Sequence, residues 1–270
     1  MIKLNDEIVS ITRFPDNSFK FDIDKSKVRS WNKLQWNFES MEELFTLIGL
    51  ADKLKNTSTY LFIPYLPNAR MDKVQSQNEG FMLKYFVETL DNLGFDKIVL
   101  LDPHSEIYKQ FAKKTEWIGN SMDSLVKELV TKSCLEIERE TSQKDVTLVY
   151  PDKGARARYT GILGESKNLV GVKERNQSTG EIISFELLGD IPDGPILIVD
   201  DICSYGGTPY HTAKKLREKG YKGNIYLYIT HAENSILKGD LLKGDSEITK
   251  VFTTNSIFTG THDKIVVYPI

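Results

Sequence analysis

Short apolar runs recur along the chain, and most are followed by a longer stretch with apolar residues three or four positions apart. The first kind predicts strands, as in Ile196, Leu197, Ile198 and Val199, a run suited to burial on both faces of a parallel sheet. The second predicts amphipathic helices. "SMEELFTLIGLADKLK" opens with Ser40 and Glu43 at capping-box spacing, and Leu44, Phe45, Ile48, Ala51 and Leu54 make one apolar stripe. "TYLFIPYLP" follows as a strand, then an amphipathic stretch around Met82, Phe86, Leu90 and Leu93, then the strand "KIVLLD". A polar segment near "EIERETSQKD" precedes a second series: "VTLVYPD", a helix after Gly154, "VGVKER", "IISFELL", "PILIVDDIC", a helix stopping at Gly220, and "NIYLYITH".

This alternation predicts an α/β fold with mainly parallel sheets flanked by helices. The boundary between the halves is expected at residues 138–145, giving an N-terminal domain over 1–140 and a C-terminal one over 141–255. Residues 256–270 hold "KIVVYPI", a strand expected to return to one of the sheets.

Composition narrows the class. The chain has 270 residues, 40% of them hydrophobic and 27% charged, and a formal net charge of -3, which excludes nucleic-acid binding driven by overall charge. Any polyanionic substrate therefore needs local basic groups or a metal. Cys134 and Cys203 are too few for a disulfide framework or a zinc site of their own. With no apolar run of signal-peptide or membrane-spanning length, the expectation is a cytoplasmic protein with no membrane partner.

The stretch "PILIVDDICSYGGTPYHTAKKLREKG" reads as strand, loop and helix. At such a junction the unpaired N–H groups of the first helical turn and the helix dipole favour an anion. Gly206 and Gly207 permit close approach of the backbone, and Thr208 adds a hydroxyl. Asp200 and Asp201 repel phosphate but accept from vicinal hydroxyls or metal-bound water. Acids beside an anion cradle point to a phosphorylated sugar.

Four further clusters follow expected strands. "FIPYLPNARMDK" carries Arg70, Asp72 and Lys73, and "LLDPHSE" carries Asp102 and His104. "YPDKGARARYTG" sets Asp152 beside Arg156 and Arg158, an acid for magnesium next to guanidinium groups for phosphate. "VKERNQSTGE" places Lys173, Glu174 and Arg175 at the entrance to a turn-rich hairpin.

In this order, and followed by the acid-pair motif and "ITHAENS", these segments resemble the ribose-phosphate pyrophosphokinase family from about Tyr60 to Ser235. The resemblance implies two Rossmann-like domains of type I phosphoribosyltransferase fold. It implies a magnesium-dependent transfer of the β,γ-diphosphate of ATP to the anomeric hydroxyl of a 5-phosphorylated ribose, releasing AMP. By the same resemblance, Lys173 and Arg175 are the catalytic basic pair, and Phe14, Asp16, Arg70, Asp72 and His104 contact ATP. His104 and Asp152 hold Mg2+. Asp200, Asp201, Ser204, Tyr205, Gly206, Gly207 and Thr208 bind the sugar phosphate. A homo-oligomer is implied as well.

The chain also departs from the family. Ser18 stands where a glutamate is usual, Met71 replaces a glutamine, Ser204 and Tyr205 replace Asp and Thr, and the chain is shorter than typical members. Tyr205 is bulky for a loop that grips a terminal monophosphate. An acceptor such as ADP-ribose, whose diphosphate passes through the loop, fits that change and belongs to NAD metabolism; ribose 5-phosphate belongs to nucleotide biosynthesis. A phosphoribosyltransferase consuming phosphoribosyl diphosphate, or a non-catalytic regulatory homologue, are the alternative readings.

Overall fold

Two parallel-rich sheets organise the chain. In the computed structural model residues 1–74, 76–165, 167–175, 182–244 and 246–270 are described, with the backbone alone for 173–175 and 182–184. The chain divides into two units, Met1–Met122 and Asp123–Ile270.

The first unit runs β1 (Ile2–Leu4), β2 (Glu7–Ile8), β3 (Ser10–Arg13), β4 (Phe19–Asp22), β5 (Trp31–Trp36), α1 (Glu43–Leu54), β6 (Ser58–Ile63), α2 (Met82–Asp91), β7 (Lys97–Leu100) and β8 (Glu116–Ile118). Its sheet has the order β2-β1-β5-β6-β7-β8 and is parallel from β5 to β8, while β3 and β4 form a separate hairpin. Leu34, Trp36, Leu61, Ile63, Ile98 and Leu100 supply the sheet side of the core, and Leu47, Leu50, Leu83, Phe86 and Leu90 the helix side.

Helix α1 is turned relative to the stripe read from its sequence. Leu47, Leu50, Ala51 and Leu54 are buried, whereas Phe45 is 69% exposed and Ile48 40% exposed. Glu43 sets this rotation, because its carboxylate is itself buried and accepts from the Trp36 indole at 2.8 Å and from the backbone of Glu39 and Ser40 at 2.9 and 3.3 Å. A second buried acid ends α2. Asp91 accepts from the N–H groups of Lys113, Lys114 and Thr115 at 2.8, 2.8 and 3.0 Å and from the Trp117 indole at 3.0 Å. Burial works to raise its pKa, and these four donors outweigh it, so the carboxyl lies below its ordinary value.

The second unit runs α3 (Asp123–Thr141), β9 (Thr147–Tyr150), α4 (Lys153–Leu163), β10 (Asn168–Arg175), β11 (Ile182–Leu188), β12 (Ile196–Cys203), α5 (Gly207–Glu218), β13 (Ile225–Ala232), β14 (Ile248–Thr254) and β15 (Ile265–Tyr268). The sheet order is β11-β10-β9-β12-β13-β14-β15, with β11 alone antiparallel. The final strand therefore joins the second sheet. Ile196, Leu197, Ile198 and Val199 are all fully buried, as a run covered on both faces requires.

The division falls ahead of the boundary expected at residues 138–145, because the polar "EIERET" run is the end of helix α3 and that helix packs with the second sheet. Lys132 lies 4.6 Å above the Tyr268 ring, Ser133 Oγ is 3.2 Å from the Tyr268 hydroxyl, and Lys250 pairs with Glu136 at 3.3 Å. Helix α5 ends in a Schellman turn: Gly220 has φ +90°, and Tyr221 N–H donates to Leu216 O at 3.1 Å. Among the described residues no helix is long and apolar enough to cross a membrane.

Candidate active site

In the second sheet the direction of chain growth reverses between β9 and β12, since β9 leads outward to β10 on one side and β12 to β13 on the other. Open α/β sheets bind ligands at the carboxyl ends of the strands beside such a reversal. Asp152 follows β9, Asp200 and Asp201 lie in the last half of β12, and Lys173 and Arg175 lie at the end of β10 next to β9. The fold thus carries these segments to one sheet edge on three adjacent strands. The side chains of Lys173 and Arg175 lie outside the described residues.

Asp152 is the N-cap of α4, and its Oδ1 accepts from Ala155 N–H at 2.9 Å. The cap fixes where this carboxylate stands, so the acid read as a metal ligand also holds a helix start. The two acids of β12 do not share a face, because consecutive strand residues alternate. Asp201 is buried and Asp200 half-buried. Asp200 projects to the face of Ile198, which packs in one core with Ala213 and Leu216 of α5.

The loop from Ser204 to Thr208 has the form of an anion cradle. Gly206 caps α5 in the left-handed region, φ +88° and ψ +16°, and Gly207 opens the helix with nothing within 4 Å of where a Cβ would stand. The backbone N–H groups of Tyr205, Gly206, Gly207 and Thr208 donate to no other described residue. Tyr210 N–H turns back to Gly206 O at 3.0 Å, and Pro209 contributes no donor. Tyr205 is 62% exposed.

A segment missed in the sequence supports this loop from behind. After β13, Ser235 Oγ lies 2.9 Å from Ser204 Oγ, and Glu233 N–H donates to Cys203 O at 2.8 Å. A Cβ on Gly239 would run into the Tyr205 carbonyl, and one on Gly206 into the Leu241 side chain. "ITHAENS" marked the start of this support, but nothing in "SILKGDLL" signals which loop Gly239 and Leu241 face.

In the first unit, Arg70 and Asp72 follow β6, and Asp102 and His104 follow the neighbouring β7. Arg70 and His104 are exposed, Asp72 is half-buried, and Asp102 is buried. Arg70 is presented by two tight turns, Ala69 N–H to Leu66 O at 3.3 Å and Met71 N–H to Asn68 O at 2.8 Å, around Asn68 at φ +61°. Phe14 and Asp16 stand apart on the turn of the β3–β4 hairpin, with Phe14 exposed. The Ser18 hydroxyl and then its N–H, at 2.6 and 3.0 Å, hold the Asp16 carboxyl below its ordinary pKa. Ser18 therefore shapes this turn.

Two units with parallel-rich sheets, the second ending in an acid pair and an anion cradle, define a two-domain protein of type I phosphoribosyltransferase fold. The crystal structure of phosphoribosylpyrophosphate synthetase from Mycobacterium smegmatis has that architecture, with a TM-score of 0.71 and 20% identity over 97% of this chain and 86% of its own. Curated sequences carry the likeness further. The ribose-phosphate pyrophosphokinase of Vibrio cholerae serotype O1 is 29% identical over 226 residues, which is 80% of this chain and 67% of that protein. Ribose-phosphate pyrophosphokinase 2 of Schizosaccharomyces pombe is 25% identical over 222 residues, 81% of this chain and 66% of that protein. No protein-family model matches. The chain is a divergent relative of the ribose-phosphate pyrophosphokinases.

Proposed function

We propose that this protein is a magnesium-dependent diphosphokinase that transfers the β,γ-diphosphate of ATP to the anomeric hydroxyl of a 5-phosphorylated ribose. The observation that carries the reading is the cradle of Tyr205 to Thr208 after β12, with four undirected N–H groups and an open approach at Gly207, on the strand that carries the two acids. In the reaction the anomeric hydroxyl releases its proton to water and its oxygen bonds to the β-phosphorus as the bond from that phosphorus to the bridging oxygen, which leaves with AMP, breaks. Phosphoryl-type transfer needs in-line placement and charge neutralisation more than covalent help. Asp200, on the face of β12 that leads to α5, accepts from the ribose hydroxyls, Asp201 stands on the opposite face, and the cradle takes the 5-phosphate. Lys173 and Arg175 stabilise charge on the transferred group, Arg70 and Asp72 act around the nucleotide phosphates, and Phe14 and Asp16 contact adenine.

Magnesium fits the residues present. Among the described residues no three His, Cys, Asp or Glu cluster into a metal site. Magnesium keeps several waters and binds through one or two carboxylates together with substrate phosphates. The capped carboxylate of Asp152 in the second unit and the exposed imidazole of His104 in the first are each of the kind that could take a metal brought by the nucleotide. When bound, the ion would supply charge neutralisation for the transferred diphosphate.

The acceptor is ribose 5-phosphate or ADP-ribose. The open approach at Gly207 leaves room for a diphosphate, whereas a solvent-exposed Tyr205 suits ribose 5-phosphate equally well unless a base stacks on its ring. Stacking of a base on such a ring contributes about 1–3 kcal/mol. The test is kcat/KM for both acceptors in the parent and in Tyr205→Thr. Preference for ADP-ribose that falls about tenfold in the variant is expected. Preference for ribose 5-phosphate that Tyr205→Thr leaves unchanged removes the larger acceptor.

A further inference from the structure

The support segment behind the cradle begins with a directed hydrogen-bond chain. Ser235 Oγ donates to Glu233 Oε2 at 3.2 Å and lies 2.9 Å from Ser204 Oγ. A carboxylate only accepts, and a hydroxyl carries a single proton. With the Ser235 proton directed at Glu233, the contact between the two serines uses the proton of Ser204. Ser204, the first residue of the loop, is left with lone pairs to offer a ligand.

The chain is held in place at both ends. Glu233 N–H is tied to Cys203 O at 2.8 Å, and the neighbouring Asn234 accepts from Thr259 and Gly260 N–H at 3.0 and 3.1 Å while donating to Thr259 Oγ1 at 2.8 Å. Gly239 and Leu241 press the backbone of Tyr205 and Gly206 from the same side. The serine pair therefore has little freedom to reorient as a unit.

We propose that Glu233 and Ser235 fix the hydrogen-bond polarity of Ser204, making it an acceptor that reads a proton-donating group of the bound molecule. A sugar hydroxyl or a metal-bound water is such a group. The phosphate is then held by the N–H groups of Tyr205 to Thr208 and by the Thr208 hydroxyl, with no proton from Ser204. A phosphate oxygen placed against Ser204 meets lone pairs, so the two serines also discriminate against a bare anion. This inference rests on the phosphate-loop reading above.

The test is calorimetric titration of the full chain with inorganic phosphate, each variant first checked for a parent-like melt. Ser235→Ala frees the Ser204 proton to turn toward the anion, and one added hydrogen bond tightens phosphate binding by about 2- to 10-fold. Glu233→Ala removes the carboxylate acceptor, so the Ser235 proton turns to Ser204 and the Ser204 proton is freed; it tightens binding too and carries the test if Ser235→Ala does not fold. Ser235→Thr keeps both bonds and matches the parent. Removing the Ser204 hydroxyl as well, in Ser204→Ala with Ser235→Ala, abolishes the gain. A purely structural role for Ser235 has the opposite sign, since a loosened loop binds phosphate more weakly. Weaker or unchanged binding in Ser235→Ala and Glu233→Ala, in a parent that binds phosphate, overturns the polarity alone. A parent with no saturable phosphate binding overturns the loop reading, and this inference with it.

Discussion

Gly206 and Gly207 are adjacent, yet alanine has opposite consequences at the two positions. Gly206 sits at φ +88°, and a Cβ there runs into the Leu241 side chain, which is fully buried. The left-handed backbone costs an L-residue about 1–2 kcal/mol, and forcing a methyl into a packed site adds about 1–3 kcal/mol. Gly206→Ala is thus expected to lose about 2–5 kcal/mol in total, at about 2–4 °C of Tm per kcal/mol for a protein of this size. Leu241→Ala in the same chain relieves the crowding part of the Gly206→Ala effect and leaves the backbone part. At Gly207 a Cβ meets nothing within 4 Å at the first position of α5. Alanine there stabilises the helix by roughly 0.5–1 kcal/mol, but its methyl fills the approach to the cradle. Loss of a charge-assisted contact of about 1.5–3 kcal/mol raises KM for the acceptor at least about tenfold. Thermal melts and steady-state kinetics on the two variants separate these effects. Gly207→Ala with an unchanged acceptor KM refutes the placement of the phosphate, and Gly206→Ala with a parent-like melt refutes the backing of the loop by Leu241.

Other expectations follow from the proposed roles and from the packing. Lys173→Ala and Arg175→Ala each lower kcat by a factor corresponding to about 2.7–4 kcal/mol, with melts unchanged; full turnover in both removes them from the chemistry. Asp152→Asn keeps an oxygen for the Ala155 N–H and raises the magnesium needed for half-maximal rate, whereas Asp152→Ala also loses a helix cap worth about 1 kcal/mol. His104→Ala shifts the magnesium titration without a change in Tm, and a titration that overlays the parent ends its metal role. Asp91→Ala leaves four donors without their acceptor and costs about 3 kcal/mol or more. Because the folded-state pKa of Asp91 is lowered, its contribution is full above the ordinary carboxylate range and is lost as pH falls through the folded value. Acid therefore destabilises the parent more steeply below about pH 4 than it does Asp91→Ala, as melts across that range will show.

The parallel sheets were legible because strand runs such as Ile196 to Val199 and helix signals such as Gly220 are local properties of the chain. The rotation of α1 was not legible, because Phe45 and Ile48 fit an apolar stripe as well as Leu47 and Leu50 do. A buried Glu43, held by the Trp36 indole on the preceding strand β5, decides between them, and apolar periodicity does not show that contact. The place of the polar run before β9 was hidden for a related reason. The polar "EIERET" run reads as a linker, yet as the last turns of α3 it supplies Glu136 and Glu140 to Lys250. At the candidate site, the residues at strand ends could be read from their order, but the dual use of Asp152 as cap and carboxylate was hidden. So was the support behind Ser204 and Tyr205, since Ser235, Gly239 and Leu241 meet the loop only once β12 and β13 lie side by side.

The central claim is the transfer of a diphosphate, and the product states it most directly. Purified protein is incubated with ATP, magnesium and either ribose 5-phosphate or ADP-ribose, and the mixture is resolved by phosphorus NMR and chromatography. The expected result is AMP formed in equal amount to a sugar carrying a new diphosphate on its anomeric carbon, with one of the two acceptors and not in its absence. ATP left intact with both acceptors, or ADP and phosphate appearing without an anomeric diphosphate, contradicts the account.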